Sequence, residues 1–260
     1  MSIEVAGPAC RIPPESVYWS HSRRPLTSLV FIAPLLVIYE AGVLVLGPQA
    51  VRNGADVWLR GLLEALDFGQ YFLLPVLAVA ILLGWHYTTR QPWRVSRPVL
   101  SGMLLESLIL ALCLRGILYI EAMLLRGLGA VLVPGDPLCQ VAVDRPAAAA
   151  RLIGFVGAGV YEELLFRLIL LSGLVWGLQQ AGMRPRRAAA AGVVISGLAF
   201  AWAHYVGPYG EPIQPDRFLF WYGLVFRVLA GVFFGVLFLA RGFGVTVGTH
   251  AAYDLLVRLG

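Results

Sequence analysis

Charge is scarce in this sequence. Only 13% of its 260 residues are Asp, Glu, Lys or Arg, whereas 59% are hydrophobic and the mean hydropathy is +0.77. This balance excludes an ordinary soluble globular domain and indicates a polytopic membrane protein. An outer-membrane barrel would need short segments in which apolar and polar residues alternate, and the sequence lacks them. Its apolar runs are continuous and long enough to span a bilayer as helices, so we expect an all-α transmembrane bundle.

Cysteine is equally sparse and follows no pattern. Cys10, Cys113 and Cys139 are far apart and odd in number, which excludes a disulfide framework and a zinc motif of the usual spacing. The sequence also lacks an H-E-x-x-H motif, internal repeats and low-complexity segments, which disfavours a typical zinc protease and a repeat-built transporter. We interpret residues 1–260 as a single integral-membrane domain.

Seven hydrophobic runs predict membrane helices, and the pattern allows a count of six to eight. The first run is too long and starts too late for a cleaved signal peptide. Between the first two runs, residues 51–68 have the spacing of an amphipathic helix on the membrane surface or of a solvated loop helix. The predicted spans are Leu26–Leu46, Tyr71–Tyr87, Val99–Leu125, Ala147–Leu178, Ala188–Val206, Phe218–Ala240 and Val245–Leu256.

Arginine placement predicts the orientation of the chain, since lysine is absent. Clusters occur at alternate ends of the predicted spans, whereas the other loops carry most of the acidic residues. The positive-inside rule therefore places the N terminus in the cytoplasm. The net charge of +5 is thus a topology signal, and no aromatic interleaving indicates nucleic-acid binding. The clustered residues are Arg23, Arg24, Arg90, Arg94, Arg97, Arg184, Arg186, Arg187 and Arg241.

Three charges interrupt the fourth hydrophobic run. Glu162, Glu163 and Arg167 lie within one and a half helical turns, and each charge near the bilayer centre costs about 2.5 to 3.5 kcal/mol on the insertion scale. Residues four apart share a helix face, whereas neighbours differ by about 100°. Glu163 can therefore pair with Arg167, while Glu162 is turned away and left for chemistry. In the alternative interpretation, all three charges only hold helices together.

Two later spans each carry a histidine paired with a second residue at helical spacing. Phe200 and His204 form an F-x-x-x-H pair, and His250 and Asp254 form an H-x-x-x-D pair, each on one helix face. A single His near a helix end is often an interfacial anchor. A carboxylate one turn from His250, in contrast, can fix the tautomer and orientation of the imidazole. The G-x-x-x-G pattern at Gly231–Gly235 predicts a close approach between helices.

Together these motifs resemble those of the CAAX protease and bacteriocin-processing family, the intramembrane glutamic endopeptidases called CPBP or Abi proteins. Residues 162–167 match E-E-x-x-x-R, residues 200–204 match F-x-x-x-H, and residues 250–254 match H-x-x-x-N/D, in the family's order. Each motif alone is weak, but three in sequence on separate membrane helices are specific. The resemblance covers a catalytic core of about residues 147–260, and the first three spans fit it only in hydropathy.

The resemblance implies a water-based mechanism without metal or cofactor. Glu162 with His204 would activate water for attack on a peptide carbonyl, and His250 with Asp254 would stabilise the oxyanion. Because an ionised Asp cannot donate a hydrogen bond as Asn can, we expect Asp254 to orient His250. The implied partners are the lipid bilayer and a protein or peptide substrate at the membrane, CAAX-like or a sorting signal, and the implied location is a bacterial cell membrane. The implied catalytic residues are Glu162, Glu163, Arg167, His204, His250 and Asp254.

Three classes of function stay open at the level of the sequence. The first is the glutamic endopeptidase. The second is a metal-dependent membrane protease, since Glu162, His204 and His250 could in principle bind zinc. The third is a non-catalytic chaperone, immunity factor or partner-binding membrane protein in which the polar residues only hold helices together. A transporter ranks last, although intramembrane charges also mark ion paths.

Overall fold

All regular structure in the described part of the chain is helical, which confirms the predicted all-α bundle. The computed structural model describes residues 14–50, 52–69, 71–127, 145–207 and 210–259. Cys10 and Cys139 lie outside these residues. The helices are α1 (Pro14–Ser22), α2 (Pro25–Leu46), α3 (Gly54–Ala65), α4 (Leu73–Thr88), α5 (Arg97–Gly127), α6 (Arg145–Glu163), α7 (Ser172–Gln180), α8 (Pro185–Ala203), α9 (Phe218–Arg241) and α10 (Phe243–Leu259).

Three of the described helices are long and apolar enough to cross a membrane by themselves. They are α2, α9 and the Arg97–Leu124 part of α5, while α4 is apolar but shorter. Leu104, Leu108 and Leu112 are exposed along one face of α5, as expected for a surface that contacts lipid. The remaining predicted spans coincide with α6 to α7, α8 and α10. These helices carry polar and small residues that the bundle buries, so their composition alone identifies them less clearly as membrane-spanning helices.

Helix α10 lies at the centre of the bundle. It packs against α2, α5, α6 and α9, and every residue from Arg241 to Ala251 is buried. Gly248 permits this close packing, because a Cβ atom there would lie 2.6 Å from Ser107 Oγ. A helix enclosed on several sides holds its side chains in fixed positions. His250 is carried by this helix.

Helices α8 and α9 cross at two glycines. A Cβ atom on Gly231 would lie 2.8 Å from the Cα atom of Gly197. A Cβ atom on Gly235, one turn further along α9, would lie 3.2 Å from Val193 Cγ1. These contacts confirm the close approach predicted from the G-x-x-x-G pattern. The crossing brings α9 beside the segment that holds Arg167.

Residues Leu164–Leu171 form a π-helix that joins α6 to α7 without a break. The sequence analysis treated the whole stretch as α-helical. The wider turn begins directly after the two glutamates and includes Arg167. Ser196 Oγ on α8 donates a hydrogen bond to the Phe166 carbonyl oxygen at 2.7 Å, and Ser172 Oγ donates to the Arg167 carbonyl oxygen at 3.3 Å. Segments of π-helix occur frequently at functional sites.

Helix α3 confirms a helix in the amphipathic segment but is tied to the bundle by buried charges. Arg60 Nε donates to Asp56 Oδ1 at 2.6 Å, and Arg60 Nη2 lies 3.2 Å from Glu40 Oε1 on α2. Tyr39 OH donates to Asp56 Oδ2 at 3.0 Å, and Tyr161 OH donates to Glu40. Burial alone would lower the pKa of Arg60, but Asp56 and Glu40 raise it. The polar face of α3 is therefore turned partly inward, where its charged side chains contact Tyr39 and Glu40 of α2.

Candidate active site

Glu163 connects two of the predicted site residues. As the four-residue spacing predicted, Arg167 Nη1 lies 3.1 Å from Glu163 Oε1, and both side chains are fully buried. The same oxygen lies 2.6 Å from His250 Nδ1. Because a carboxylate only accepts hydrogen bonds, His250 Nδ1 carries the proton. Glu163 thus fixes the orientation of the imidazole and leaves Nε2 for other partners.

The guanidinium of Arg167 is enclosed by aromatic rings and a backbone carbonyl. It lies 4.3 Å from the centroid of Phe200 on α8 and 5.3 Å from that of Phe234 on α9. Its Nη2 donates to the Gly231 carbonyl oxygen at 3.3 Å. Such contacts stabilise a cation that has left water. Arg167 therefore holds Glu163 and three helices together.

The hydrogen bond that orients His250 is donated by its Nδ1 to Glu163 rather than to Asp254. His250 Nε2 lies 3.7 Å from Asp254 Oδ2 and also 3.7 Å from Glu162 Oε2. Both distances exceed the range of a direct hydrogen bond. The ring stacks on Phe234, with centroids 4.6 Å apart. The sequence analysis predicted that Asp254 orients His250, because the two residues are one turn apart on α10. Spacing along one helix could not show that the Glu163 carboxylate on α6 contacts the same ring.

Glu162 points away from the Glu163 and Arg167 pair, as predicted, and finds its partner on α3. Its Oε1 accepts a hydrogen bond from Asn53 Nδ2 at 2.7 Å. Asn53 is also the N-cap of α3, where its Oδ1 accepts from the Ala55 backbone N at 2.8 Å. The sequence analysis missed Asn53. Asn is a favoured N-cap residue, but a cap predicts where a helix begins and not which distant side chain it contacts.

A cavity of about 170 Å³ lies between α3, α6 and the end of α8. It is lined by both Glu162 and His204 and has room for water. His204 Nδ1 lies 2.9 Å from the Phe200 carbonyl oxygen. Since a carbonyl only accepts, Nδ1 carries the proton and Nε2 of the neutral ring keeps a lone pair. Other lining residues include Asn53, Trp58, Phe166 and Glu211.

A second cavity of about 340 Å³ shares Glu162 and Asn53 with the first. It runs along α6 and is also lined by Arg52, Arg151 and Asp254. Glu162 therefore has open space on two sides. An extended polypeptide could pass Glu162 through these two spaces.

The predicted residues fall into two groups in the structure. Glu162, His204 and Asp254 line cavities, whereas Glu163 and Arg167 are fully buried supports. His250 stands between them, bonded to Glu163 and facing Glu162. Among the described residues, no group of three or more His, Cys, Asp or Glu side chains is arranged to hold a metal ion.

Comparison with known proteins adds one match. Residues 145–256 match the family model described as Type II CAAX prenyl endopeptidase Rce1-like. This part of the chain is similar to the Rce1-like family. The match confirms the resemblance to CAAX proteases predicted from the motifs. No curated protein and no solved structure matches the chain.

The Rce1-like segment begins with α6 and ends within α10, so it contains all six predicted site residues. Helices α1 to α5, including the N-cap residue Asn53, lie outside the match. The match supports an intramembrane protease, a hydrolase of peptide bonds. Together with the three apolar helices, it makes the chain an integral membrane protein.

Proposed function

We propose that the chain is a glutamic endopeptidase that hydrolyses a peptide bond with water activated by Glu162 and His204. One observation carries this proposal: Glu162, which takes no part in the Glu163 and Arg167 pair, lines the same cavity of about 170 Å³ as His204. A carboxylate and a neutral imidazole in one cavity are the acceptors that general base catalysis requires. A purely structural network would have no need of open space between them.

In this mechanism, Glu162 and His204 accept hydrogen bonds from one water molecule. One of the two takes a proton as the water oxygen attacks the carbonyl carbon of the substrate. The proton then passes to the nitrogen of the leaving amine when the C–N bond breaks. The products are a new carboxyl terminus and a free amine. Asn53 holds Glu162 in place through its 2.7 Å hydrogen bond.

His250 is the proposed donor to the oxyanion. With Nδ1 bonded to Glu163, the form protonated on both nitrogens presents Nε2–H toward Glu162, whose Oε2 lies 3.7 Å away. A donor directed at developing negative charge in a site that excludes water typically contributes 10² to 10³ in rate. Asp254 lies 3.7 Å from Nε2 and is the second carboxylate beside this donor.

The proposed substrate is a membrane-associated protein or peptide with a CAAX-like carboxyl-terminal segment. This rests on the description of the family, which names CAAX prenyl substrates. A metal-dependent protease and a non-catalytic partner-binding protein are the alternatives, and both make different predictions. The first would lose activity to a chelator. The second would function equally well without the carboxylate of Glu162.

The test is a comparison of membrane proteomes from cells that express the wild-type protein, Glu162→Gln or Glu64→Gln. Glu64 is exposed on α3 and provides the matched control. We expect shortened carboxyl termini with the wild type and with Glu64→Gln, and uncut termini with Glu162→Gln. Identical termini in all three strains would contradict the proposal, as would trimming that stops when a chelator is added.

A further inference from the structure

Arg151 lies on the same face of α6 as Glu162. Arg151, Gly154, Ala158 and Glu162 are spaced by three or four residues and line one side of the larger cavity. Arg151 precedes Glu162 by eleven residues, which is about 16 Å along the axis at about 1.5 Å per residue. The cavity therefore leads from the proposed base, Glu162, to a guanidinium.

This guanidinium has a buried donor without a partner. Arg151 Nη2 is fully buried and, within the residues that the structure describes, makes no hydrogen bond. Leaving such a donor unsatisfied costs free energy unless a ligand pairs with it. Several other arginines of the bundle do pair with carboxylates, namely Arg52, Arg60, Arg167, Arg227 and Arg241.

The surroundings of Arg151 fit an anion at the end of a chain. Arg52 lines the same cavity, and its side chain is 31% exposed although Nη1 lies 3.3 Å from Asp56. A guanidinium with a free buried donor favours a carboxylate, which can accept two parallel hydrogen bonds from it. The other end of the cavity meets Glu162, where the peptide bond would be cut.

We propose that Arg151 binds the terminal carboxylate of the substrate and so determines how far from the carboxyl terminus Glu162 cuts. This inference rests on the proposed endopeptidase function. An extended chain covers about 3.3 to 3.6 Å per residue. The separation of about 16 Å along α6 therefore predicts a released peptide of about four to five residues.

The test uses a pool of ten-residue peptides with randomised final six positions, made both as free acids and as carboxamides. The two pools are incubated with the wild-type protein, Arg151→Gln, Arg151→Lys or Arg186→Gln, and the released fragments are identified by mass spectrometry. Arg186 is exposed at the start of α8 and serves as the matched control. Thermal unfolding of each variant shows that it is folded.

We expect the wild type and Arg186→Gln to cut the free acids at least about tenfold faster than the carboxamides. One charge-assisted hydrogen bond typically contributes a factor of this size. Fragments of about four to five residues should dominate. Arg151→Gln should cut both pools at the slower rate, and Arg151→Lys should restore part of the preference. Equal rates for both pools with the wild type, or an undiminished preference in Arg151→Gln, would overturn the proposal.

A binding measurement separates this proposal from the proposed hydrolysis. Immobilised Glu162→Gln protein, with and without Arg151→Gln, is exposed to both peptide pools, and the retained peptides are quantified. Retention of free acids that depends on Arg151, without any cleavage by the wild type, would support the carboxylate site and refute the hydrolysis. Equal retention of both pools would refute the site. An Arg151→Gln change that alters only co-purified anionic phospholipid would also refute it, in favour of a lipid phosphate.

Discussion

Two adjacent glutamates have different partners and therefore different tasks. Glu163 binds Arg167 and His250 in a fully buried position, whereas Glu162 binds Asn53 at the edge of open space. The difference follows from the 100° turn between neighbouring residues of a helix. It makes Glu163 a positioning residue and Glu162 the proposed base.

Glu163→Gln is expected to damage the fold more than Glu162→Gln does. The change leaves the buried Arg167 without its carboxylate, and breaking a buried pair from one side typically costs about 3 to 5 kcal/mol. Glu162 is only partly buried, and Gln can keep a hydrogen bond to Asn53 through its amide oxygen. Thermal unfolding in detergent would measure both variants. A larger loss of stability in Glu162→Gln would contradict these assignments.

Asn53→Asp separates the two roles of Asn53. Asp is as good an N-cap as Asn, but it cannot donate to Glu162 and places a like charge beside it. Since hydrogen bonds to charged groups contribute about 1.5 to 3 kcal/mol, peptide turnover should fall by roughly ten- to a hundredfold while α3 stays folded. Turnover equal to the wild type would show that Asn53 does not support Glu162.

The sequence predicted most of the site at this scale, with two exceptions. The Glu163 and Arg167 pair and the separate direction of Glu162 follow from helical spacing. Asn53 and the bond from Glu163 to His250 do not, because each joins side chains that are distant in the chain. A periodic pattern describes one helix at a time and cannot show which helices meet.

Helix α3 carries Asn53, and its position depends on the Asp56, Arg60 and Glu40 network. Both carboxylates lie against the bundle and share one guanidinium. Arg60→Met should therefore leave Glu40 without its guanidinium and Asp56 with Arg52 as its remaining one. We expect it to lower the thermal stability and to reduce peptide turnover by displacing Asn53. Hydrogen exchange of residues 54–65 should become faster. Glu64→Gln on the exposed side of the same helix is the control, and equal exchange in both variants would contradict this account.

The crossing of α8 and α9 predicts a contrast between two glycines. Gly231→Ala would place a methyl group 2.8 Å from the Gly197 backbone and force the helices apart, which typically costs about 1 to 3 kcal/mol. Gly173→Ala in α7 meets no atom within 4 Å and should be neutral or slightly stabilising, since Ala favours helices. Unfolding midpoints of the two variants provide the measurement. Equal midpoints would refute the close crossing.

Helix positions were largely predictable, whereas their local geometry was not. Hydropathy located the spans because lipid-facing faces are continuous and apolar. The π-helix at Leu164–Leu171 leaves no trace in hydropathy, since it depends on contacts such as the Ser196 hydrogen bond to Phe166. The amphipathic pattern of α3 also could not distinguish a polar face in water from one paired inside the protein.

The whole molecule has two unlike ends. Arg23 donates to the Leu239 carbonyl oxygen near the end of α9, so the first and sixth predicted spans share the end that carries the arginine clusters. The cavities lie toward the other end, where α3 meets the end of α8. With the N terminus in the cytoplasm, as predicted from the arginines, the site would open on the external side.

Cysteine labelling tests this orientation. In a protein whose three native cysteines are replaced, Glu64→Cys on the site side should react with a membrane-impermeant maleimide in intact cells. Arg186→Cys at the opposite end should react only after the cells are opened. The reverse pattern would invert the predicted topology and place the site at the cytoplasmic face.

The measurement closest to the central claim is the rate of peptide hydrolysis by Glu162→Gln, His204→Gln and the double variant. If both side chains act on one water molecule, each single change should reduce the rate by roughly 10² to 10⁴. The double variant should then be no slower than the worse single variant, because residues that act as a unit are not additive. Losses that multiply in the double variant, or an unchanged rate in either single variant, would contradict a shared water.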